Sequence, residues 1–591
     1  MVRRTAASSA LRRLIAPPAS AHVALGLIAV VYVATALNRP SDVFWSADQG
    51  GKMLQVLAFL EGRPDLSVTY PGRTLDPELI FRPYSFSYLL GATIRLPWLM
   101  SWALPSALLY ATLGGAGLVL LPVAGGVLAA WSAGRLAERI APGSGWLATL
   151  LTGLATPMFV FSTLFWEHAP AAGVFAWGLL LLPIEGRARL TIRSLLAGAC
   201  FGLAVAWRTE ACLYVAAAAS AASVAARDSR QRRLAWLSGG LALVLIPAET
   251  YNWLITGAVG IRASTLPGSP ARVMQTLLQY TPQLPADLLV GRRVLGQELP
   301  EPIRWAPAAG LALLAAAIRA DLPGRRWLEM VGLILVGSAT AWLLVSPAPL
   351  AVNGLLIAAP FLALSFLAPG LLSSTPTGKF LVVFGVTAPT LYAAAAPIMH
   401  VEGVAGGGAE WGPRYLLPVF PPLTVLATAA LGGALSCRPV AEQALGRFLV
   451  VLALTFELAG LASIDFALRE VERYGGLIAS LPPGPVVVRS DSLSQSAVGL
   501  TRRRAVYCAA SSGALKRWSE LALSAGEREF WFVDWQPIPA AWLSPDLGAP
   551  DVVAESDVGS LHAVRYDTGS VHAALGGTGE VRESCIYRGN V

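Results

Sequence analysis

The stretch from Ser46 to Gly72 reads SADQGGKMLQVLAFLEGRPDLSVTYPG and follows the first apolar segment of the chain. It places Asp48 eleven residues beyond Leu37, where that apolar segment ends. An amphipathic run from Met53 to Leu60 comes next and predicts a helix at the boundary between lipid and water. Asp48 is therefore a candidate general base at a membrane surface. The alternative is that Asp42 and Asp48 only solvate a loop.

The composition is that of a membrane protein. Of the 591 residues, 55% are hydrophobic and 14% are charged, and the mean hydropathy is +0.58. These values lie far from those of soluble multidomain proteins. The net charge of +8 arises from Lys and Arg in short connections between apolar runs, as the positive-inside rule requires, so no nucleic-acid partner is predicted. The five cysteines show no CxxC or Cys/His spacing, which argues against a zinc site.

The apolar runs predict a polytopic α-helical protein with about thirteen transmembrane helices. The first run, about 21–37, follows four arginines and lacks a small-residue cleavage site, which favours an uncleaved helix with a cytoplasmic N-terminus. Further spans are predicted at about 106–134, 145–163, 169–184, 234–255, 306–319, 327–345, 350–368, 379–397, 415–435 and 446–464, with two short helices within 194–226. The odd number places the C-terminus outside a plasma (inner) membrane.

Ionisable residues recur in the turns that this topology places outside. Glu167 and His168 lie in a short turn between two spans, and Arg208 and Glu210 interrupt the run 194–226. Ionisable residues between apolar helices are costly unless they are solvated or have a role in binding or catalysis. The alternatives are simple capping of the turn at 167–168 and a mutual ion pair between Arg208 and Glu210.

Another candidate lies in the stretch 400–415, HVEGVAGGGAEWGPRY, which ends in Arg414 and Tyr415. Glycines let a backbone approach a ligand, and arginine suits a phosphate group. The alternatives are a plain reversing turn and an arginine that extends to the membrane surface.

Two other regions are predicted to lie outside the membrane. Residues 38–105 form an external loop with amphipathic helices, and residues 256–305 form a large Pro-rich loop that is either a lid or a connector. From residue 465 the pattern changes, with buried strands predicted at 485–489, 504–508 and 530–534 and a helix at about 512–525. The domain boundaries are therefore 1–464 for a membrane-embedded catalytic domain and 465–591 for a soluble extracytoplasmic α/β domain.

Cys508 and Cys585 are the only cysteines after the last predicted span. Because the outer compartment is oxidising, a disulfide between them is predicted, and the alternative is a pair of buried thiols.

These short motifs, in this order, resemble the GT-C superfamily of integral membrane glycosyltransferases, in the style of protein mannosyltransferases and aminoarabinose transferases. The matching stretches are SADQG at 46–50, WEH at 166–168, RTE at 208–210 and WGPRYLLP at 411–418, within roughly the first 440 residues. The family usually carries two adjacent acids after its first span, whereas Asp48 is followed by Gln49 here. A divalent metal therefore stays open, and no other cofactor is predicted.

The resemblance implies transfer of a sugar from a polyprenyl-phosphate donor to an extracytoplasmic glycan, lipid or protein, with inversion, as in cell-envelope glycan biosynthesis. Asp48 would be the general base, with Glu167 and His168 as further catalytic residues. Arg414 and Arg208 would hold the donor phosphate, and Glu210, Trp411 and Tyr415 would bind substrate. The alternative is a transporter or flippase of a lipid-linked glycan, although no internal repeat relates the halves of the chain.

Overall fold

The computed structural model describes residues 17–184, 190–225, 230–256, 288–290, 300–319, 324–346, 354–367, 375–399, 413–434, 439–534, 552–558 and 561–575. Trp411, Cys585 and most of the predicted external loop 256–305 lie outside these residues.

Most of the described chain is helical. The α-helices are α1 Pro17–Leu37, α2 Ala47–Leu60, α3 Met100–Leu113, α4 Gly115–Ile140, α5 Gly145–Leu154, α6 Met158–Phe161, α7 His168–Leu181, α8 Leu190–Trp207, α9 Ala211–Ala225, α10 Arg230–Thr256, α11 Glu301–Arg319, α12 Arg325–Val345, α13 Leu355–Ala358, α14 Pro376–Met399, α15 Phe420–Ala429, α16 Val440–Ser480, α17 Asp491–Ser496, α18 Val498–Thr501, α19 Ser512–Ser524 and α20 Thr568–Ala574. Tighter 3₁₀ segments span Pro71–Thr74, Pro360–Leu367 and Arg414–Val419, and a π-helical turn spans Ala430–Ala434.

The helices support a multi-pass membrane protein. Seven helical segments of the described chain are long and apolar enough to cross a membrane: α1, α4, α10, α12, α14, α16 and the continuous run Arg414–Gly432. Four shorter apolar helices accompany them, namely α5, α7, α8 and α9. The predicted span at 350–368 consists instead of α13 and the 3₁₀ segment that starts at Pro360. Proline removes a backbone donor and disfavours helical geometry in the residue before it, which explains this break.

The chain divides into two compact units. The first unit contains Met1–Leu37 and Leu118–Ser463, and the second contains Asn38–Gly117 and Ile464–Val591. The sequence predicts residues 38–105 as part of the membrane-embedded domain. In the structure, Asn38–Gly117 instead forms one compact unit with Ile464–Val591. Local sequence patterns cannot reveal this, because the two segments of the second unit are far apart along the chain.

In the first unit, small residues allow close helix packing. A Cβ added at Gly173 of α7 would lie 2.1 Å from the carbonyl oxygen of Gly125 in α4, and one added at Gly198 of α8 would lie 2.1 Å from that of Leu237 in α10. Such contacts require glycine and are typical of helices associating within a membrane. They fix the positions of α7 and α8, the two helices that border the polar residues described below.

The second unit contains a five-stranded sheet with the strand order β4-β3-β5-β7-β6. After a short hairpin, β1 (Tyr88–Leu90) and β2 (Thr93–Arg95), the sheet strands are β3 Val486–Val488, β4 Val506–Cys508, β5 Glu529–Asp534, β6 Val552–Val558 and β7 Leu561–Asp567. β3 is parallel to β4 and β5, whereas β7 is antiparallel to β5 and β6. β3, β4, β5 and α19 lie where the sequence predicted them, but β6 and β7 were not predicted.

The N-terminal segment of the second unit packs directly on the C-terminal one. The backbone amide of Cys508 donates to the carbonyl oxygen of Phe81 at 2.7 Å, and the amide of Phe44 donates to that of Ser496 at 2.8 Å. Gly50 lies against α17, because a Cβ there would come within 1.8 Å of the carbonyl oxygen of Gln495. Cys508 is disulfide-bonded, and its predicted partner Cys585 lies outside the described residues.

Candidate functional site

Glu167 and His168 are buried where α7 begins. His168 is the first residue of the helix, and each of the two residues is 2% exposed. The amide of Ala171 donates to the carbonyl oxygen of Glu167 at 3.0 Å, and Pro170 is tolerated because it lies in the first helical turn. The two polar side chains are thus held in an otherwise apolar bundle.

Arg208 connects two of the predicted motifs. It lies in the turn between α8 and α9, and its Nη1 donates to Oε1 of Glu167 at 2.7 Å. Its Nε donates to Oε1 of Glu210 at 2.6 Å. The three side chains are 12%, 3% and 8% exposed, respectively. The ion pair that was the alternative interpretation of Arg208 and Glu210 is therefore present, and it also includes Glu167.

Arg414 lies between aromatic rings. Its guanidinium carbon is 4.9 Å from the ring centroid of Trp166 and 4.9 Å from that of Tyr415. The guanidinium carbon of Arg208 is 5.0 Å from the same Tyr415 ring. At these distances a cation is attracted to the ring, and the attraction grows when water is excluded. Tyr415 thus contacts both arginines.

Backbone and ring contacts hold Tyr415 in place. The hydroxyl of Tyr214 donates to the carbonyl oxygen of Tyr415 at 2.5 Å, and Nη2 of Arg414 donates to the Tyr415 hydroxyl at 3.1 Å. The His168 ring meets the Tyr415 ring edge-on at 5.7 Å and the Trp166 ring at 5.1 Å. Six predicted site residues therefore meet in the first unit, which we call the arginine cluster: Glu167, His168, Arg208, Glu210, Arg414 and Tyr415.

Asp48 belongs to the second unit and lies in the first turn of α2. A carboxylate at this position interacts favourably with the helix dipole. The side chain of Gln49 accepts from the amide of Trp45 at 2.9 Å, and Nε2 of Gln495 donates to the carbonyl oxygen of Ala47 at 2.7 Å. The start of the helix is therefore fixed on both sides of Asp48.

Lys52 follows Asp48 by one helical turn, and sequence reasoning missed it. It is 1% exposed, and its Nζ lies 5.7 Å from the ring centroid of Trp98. Residues four apart lie on the same face of a helix, so the spacing between Asp48 and Lys52 was a usable signal. Trp166 is part of the WEH motif at 166–168, but no role was predicted for it. Its contact with Arg414 could not be inferred from local spacing.

The described residues contain no group of three or more His, Cys, Asp or Glu side chains that could hold a metal ion. The arginine cluster offers two guanidinium groups, two carboxylates and an imidazole beside aromatic rings. Such a set can bind a phosphate group and orient a hydroxyl-bearing molecule.

The fold resembles that of solved membrane glycosyltransferases. The apo crystal structure of ArnT from Cupriavidus metallidurans aligns with a TM-score of 0.50 at 13% identity, covering 96% of this chain and 100% of that one. ArnT bound to undecaprenyl phosphate aligns at 0.46, with 13% identity and coverages of 94% and 99%. The oligosaccharyltransferase AglB from Archaeoglobus fulgidus, in complex with an inhibitory peptide and a dolichol-phosphate, aligns at 0.42, with 11% identity and coverages of 86% and 69%.

No family model and no curated protein matches the sequence. The resemblance to GT-C membrane glycosyltransferases that the motifs predicted is thus confirmed for the fold.

Proposed function

We propose, from the fold shared with ArnT, that this chain transfers a sugar from a polyprenyl-phosphate-linked donor to an extracytoplasmic glycan, lipid or protein. One observation carries the proposal: two arginines, two carboxylates and a histidine are buried together in an apolar helical bundle. Ionisable groups at such places are costly and are therefore retained mainly for function. ArnT itself has been crystallised with undecaprenyl phosphate, which supports the class of donor.

Arg414 is the proposed ligand of the donor phosphate. Its guanidinium can form two parallel hydrogen bonds to phosphate oxygens, while the rings of Trp166 and Tyr415 fix its plane. Arg208 already bonds to the carboxylates of Glu167 and Glu210, so we propose that it binds phosphate through the donors that remain. The positive charge stabilises the phosphate as it leaves the sugar.

Asp48 is the proposed general base. The acceptor oxygen or nitrogen attacks the anomeric carbon from the face opposite the phosphate, and its proton passes to the Asp48 carboxylate. The bond between the anomeric carbon and the phosphate oxygen breaks, and its electron pair leaves with the phosphate. One displacement inverts the configuration. We propose that His168 orients the acceptor, together with Glu210, Trp411 and Tyr415, and that Glu167 holds Arg208 in position.

The proposed location is a plasma (inner) membrane. Four arginines before α1 favour a cytoplasmic N-terminus by the positive-inside rule. Asp48 and the five-stranded sheet would then face the outside, where lipid-linked sugars are used. The polyprenyl chain of the donor would lie among the membrane lipids. The proposed transfer requires no nucleic acid.

The test is Asp48→Asn in the purified full-length protein. The amide keeps the shape of the side chain but cannot accept a proton, so we expect transfer to fall about 10²- to 10⁴-fold. The measurement is single-turnover consumption of polyprenyl-phosphate sugars from a panel, with product detection. Asp42→Asn is the matched control, because Asp42 is an exposed acid on the same connection. Near-normal transfer by a folded Asp48→Asn protein would remove Asp48 as the base.

A further inference from the structure

The parallel part of the sheet in the second unit contains a topological switch point. The chain passes from β3 to its neighbour β4 and then crosses to β5 on the other side of β3. After β5 the next strand is β6, on the side away from β4. Where the connections after two adjacent parallel strands lead to opposite sides in this way, a crevice opens at the carboxyl ends of the two strands. Ligands of open α/β sheets bind in that crevice.

Charged residues occupy both sides of this crevice. Val488 pairs with Val533 in the register of β3 and β5, so Arg489 and Asp534 are the next residues on the two strands. Nη1 of Arg489 lies 3.3 Å from Oδ2 of Asp534. The Arg489 side chain is 44% exposed and that of Asp534 is 8% exposed. The pair therefore combines a half-exposed guanidinium group with a carboxylate that is buried at the end of β5.

A second carboxylate and hydroxyl groups extend the crevice. Asp491 hydrogen bonds with the hydroxyls of Ser85 and Ser492, and those hydroxyls lie 3.0 Å from each other. Burial raises the pKa of Asp491, and these hydrogen bonds partly offset the effect. Asp491 follows Arg489 by two residues, so it belongs to the same turn at the carboxyl end of β3.

The residue types indicate the class of ligand. The turn after β3, Arg489 to Leu493, contains no glycine that would let the backbone wrap a phosphate. Two carboxylates also repel an anion. Carboxylates accept from hydroxyl groups and a guanidinium donates to them, so the set fits a neutral, hydroxyl-rich molecule.

The crevice also lies close to the helix that carries Asp48. α17 begins at Asp491, and four residues later the Gln495 side chain donates to the carbonyl oxygen of Ala47 at 2.7 Å. Four residues span about 6 Å along a helix. A molecule bound at the carboxyl edge of β3 and β5 would therefore reach towards the start of α2.

We propose that Arg489, Asp491 and Asp534 form a subsite for the acceptor, and that this acceptor is a hydroxyl-rich glycan. The proposal rests on the proposed function, because it takes Asp48 as the base that receives the acceptor's proton. It gives the C-terminal part of the chain a role: the sheet holds the distal sugars of the glycan while the reactive group meets Asp48.

The test is binding of neutral trisaccharides without donor, measured by saturation-transfer difference NMR on the full-length protein in detergent. The probes are maltotriose, mannotriose and arabinotriose. We expect at least one probe to bind and its affinity to fall about tenfold or more in Arg489→Ala and in Asp534→Asn, since each variant loses a charge-assisted hydrogen bond. If Asp534→Asn does not fold, Asp491→Asn replaces it in the binding measurement, because Asp491 is only half-buried.

Arg565→Ala is the matched control. Arg565 pairs with Glu529 at the opposite end of β5. The variant therefore loses a similar ion pair at a position away from the crevice. Binding unchanged in all crevice variants, or no binding of any probe to the wild type, would overturn the subsite. Loss of probe affinity together with unimpaired transfer by Asp48→Asn would support the subsite and contradict the proposed base.

Discussion

At the residue scale, Arg414 is the side chain whose shape matters most. Arg414→Lys keeps the charge but loses the planar group that contacts Trp166 and Tyr415 and binds two phosphate oxygens. Losing one of the two charge-assisted hydrogen bonds to phosphate costs about 1.5–3 kcal/mol, which corresponds to a roughly 10- to 150-fold weaker interaction with donor. We expect the donor KM to rise or kcat to fall accordingly, as measured by steady-state transfer.

The control for this change is Arg139→Lys. Arg139 also lies in the first unit, where it donates to the carbonyl oxygen of Leu180 at 3.0 Å, outside the arginine cluster. Its replacement is expected to leave donor kinetics unchanged. Normal kinetics in both Arg414→Lys and Arg414→Ala would exclude Arg414 from the donor site.

Arg208 has a second role at this scale, which is to neutralise two buried acids. Arg208→Met leaves Glu167 and Glu210 without this cation, and breaking a buried ion pair costs about 3–5 kcal/mol. We expect a large drop in the thermal unfolding temperature of the detergent-solubilised protein. The triple variant Glu167→Gln, Arg208→Met, Glu210→Gln should recover most of that stability yet stay inactive. A triple variant as unstable as Arg208→Met would contradict this role of the charges.

At the element scale, the contact between α2 and α17 depends on one glycine. Gly50→Ala would place a methyl group 1.8 Å from the carbonyl oxygen of Gln495, a backbone atom that cannot move alone. Overpacking of this kind costs about 1–3 kcal/mol. We expect lower thermal stability and slower transfer, because the start of α2 carries Asp48.

Gly476→Ala is the corresponding control within a helix. A Cβ at Gly476 of α16 would meet nothing within 4 Å. Alanine favours a helix over glycine by about 1 kcal/mol, so this variant should be more stable than the wild type. If both glycine variants shift the unfolding temperature equally, the close approach of α2 and α17 does not govern stability.

Elements with a strong local pattern could be predicted from the sequence. The run Val486–Val488 and the helix Ser512–Ser524 appear as expected, because continuous apolar residues and helical periodicity are local signals. The turn at Arg208 was also predicted, but its bond to Glu167, 41 residues earlier in the chain, has no local signal. The break at Pro360 and the 3₁₀ geometry of Arg414–Val419 were missed, because both segments are apolar enough to predict ordinary α-helical spans.

At the scale of the whole molecule, the disulfide of Cys508 concerns the stability of the second unit. The predicted partner is Cys585, and a loop of this length contributes about 4 kcal/mol in the chain-entropy model. Cys508→Ser with Cys585→Ser should lower the unfolding temperature and leave transfer measurable at low temperature. Alkylation of the unfolded, unreduced wild type should find Cys585 protected. A freely alkylated Cys585 would show that Cys508 has a different partner.

The assembly of the units was beyond sequence reasoning. The motifs at 46–50, 166–168, 208–210 and 411–418 were predicted to share one face, and the arginine cluster brings together residues of the last three. A common face with the motif at 46–50 stays a prediction. The grouping of Asn38–Gly117 with Ile464–Val591 left no periodic or compositional signal. Contacts such as that between Gly50 and Gln495 depend on the shape of two surfaces, which a pattern of residue types does not encode.

The discontinuous second unit has a consequence for synthesis of the protein. When the ribosome completes Gly117, about 350 residues remain to be made before Ile464. At roughly 5–20 residues per second this takes about 20–70 s. During that interval the Phe81 carbonyl lacks the amide of Cys508, and Gly50 lacks the surface of α17. A nascent chain truncated before Ile464 therefore contains the membrane helices up to that point but lacks the partner that holds Asp48 in place.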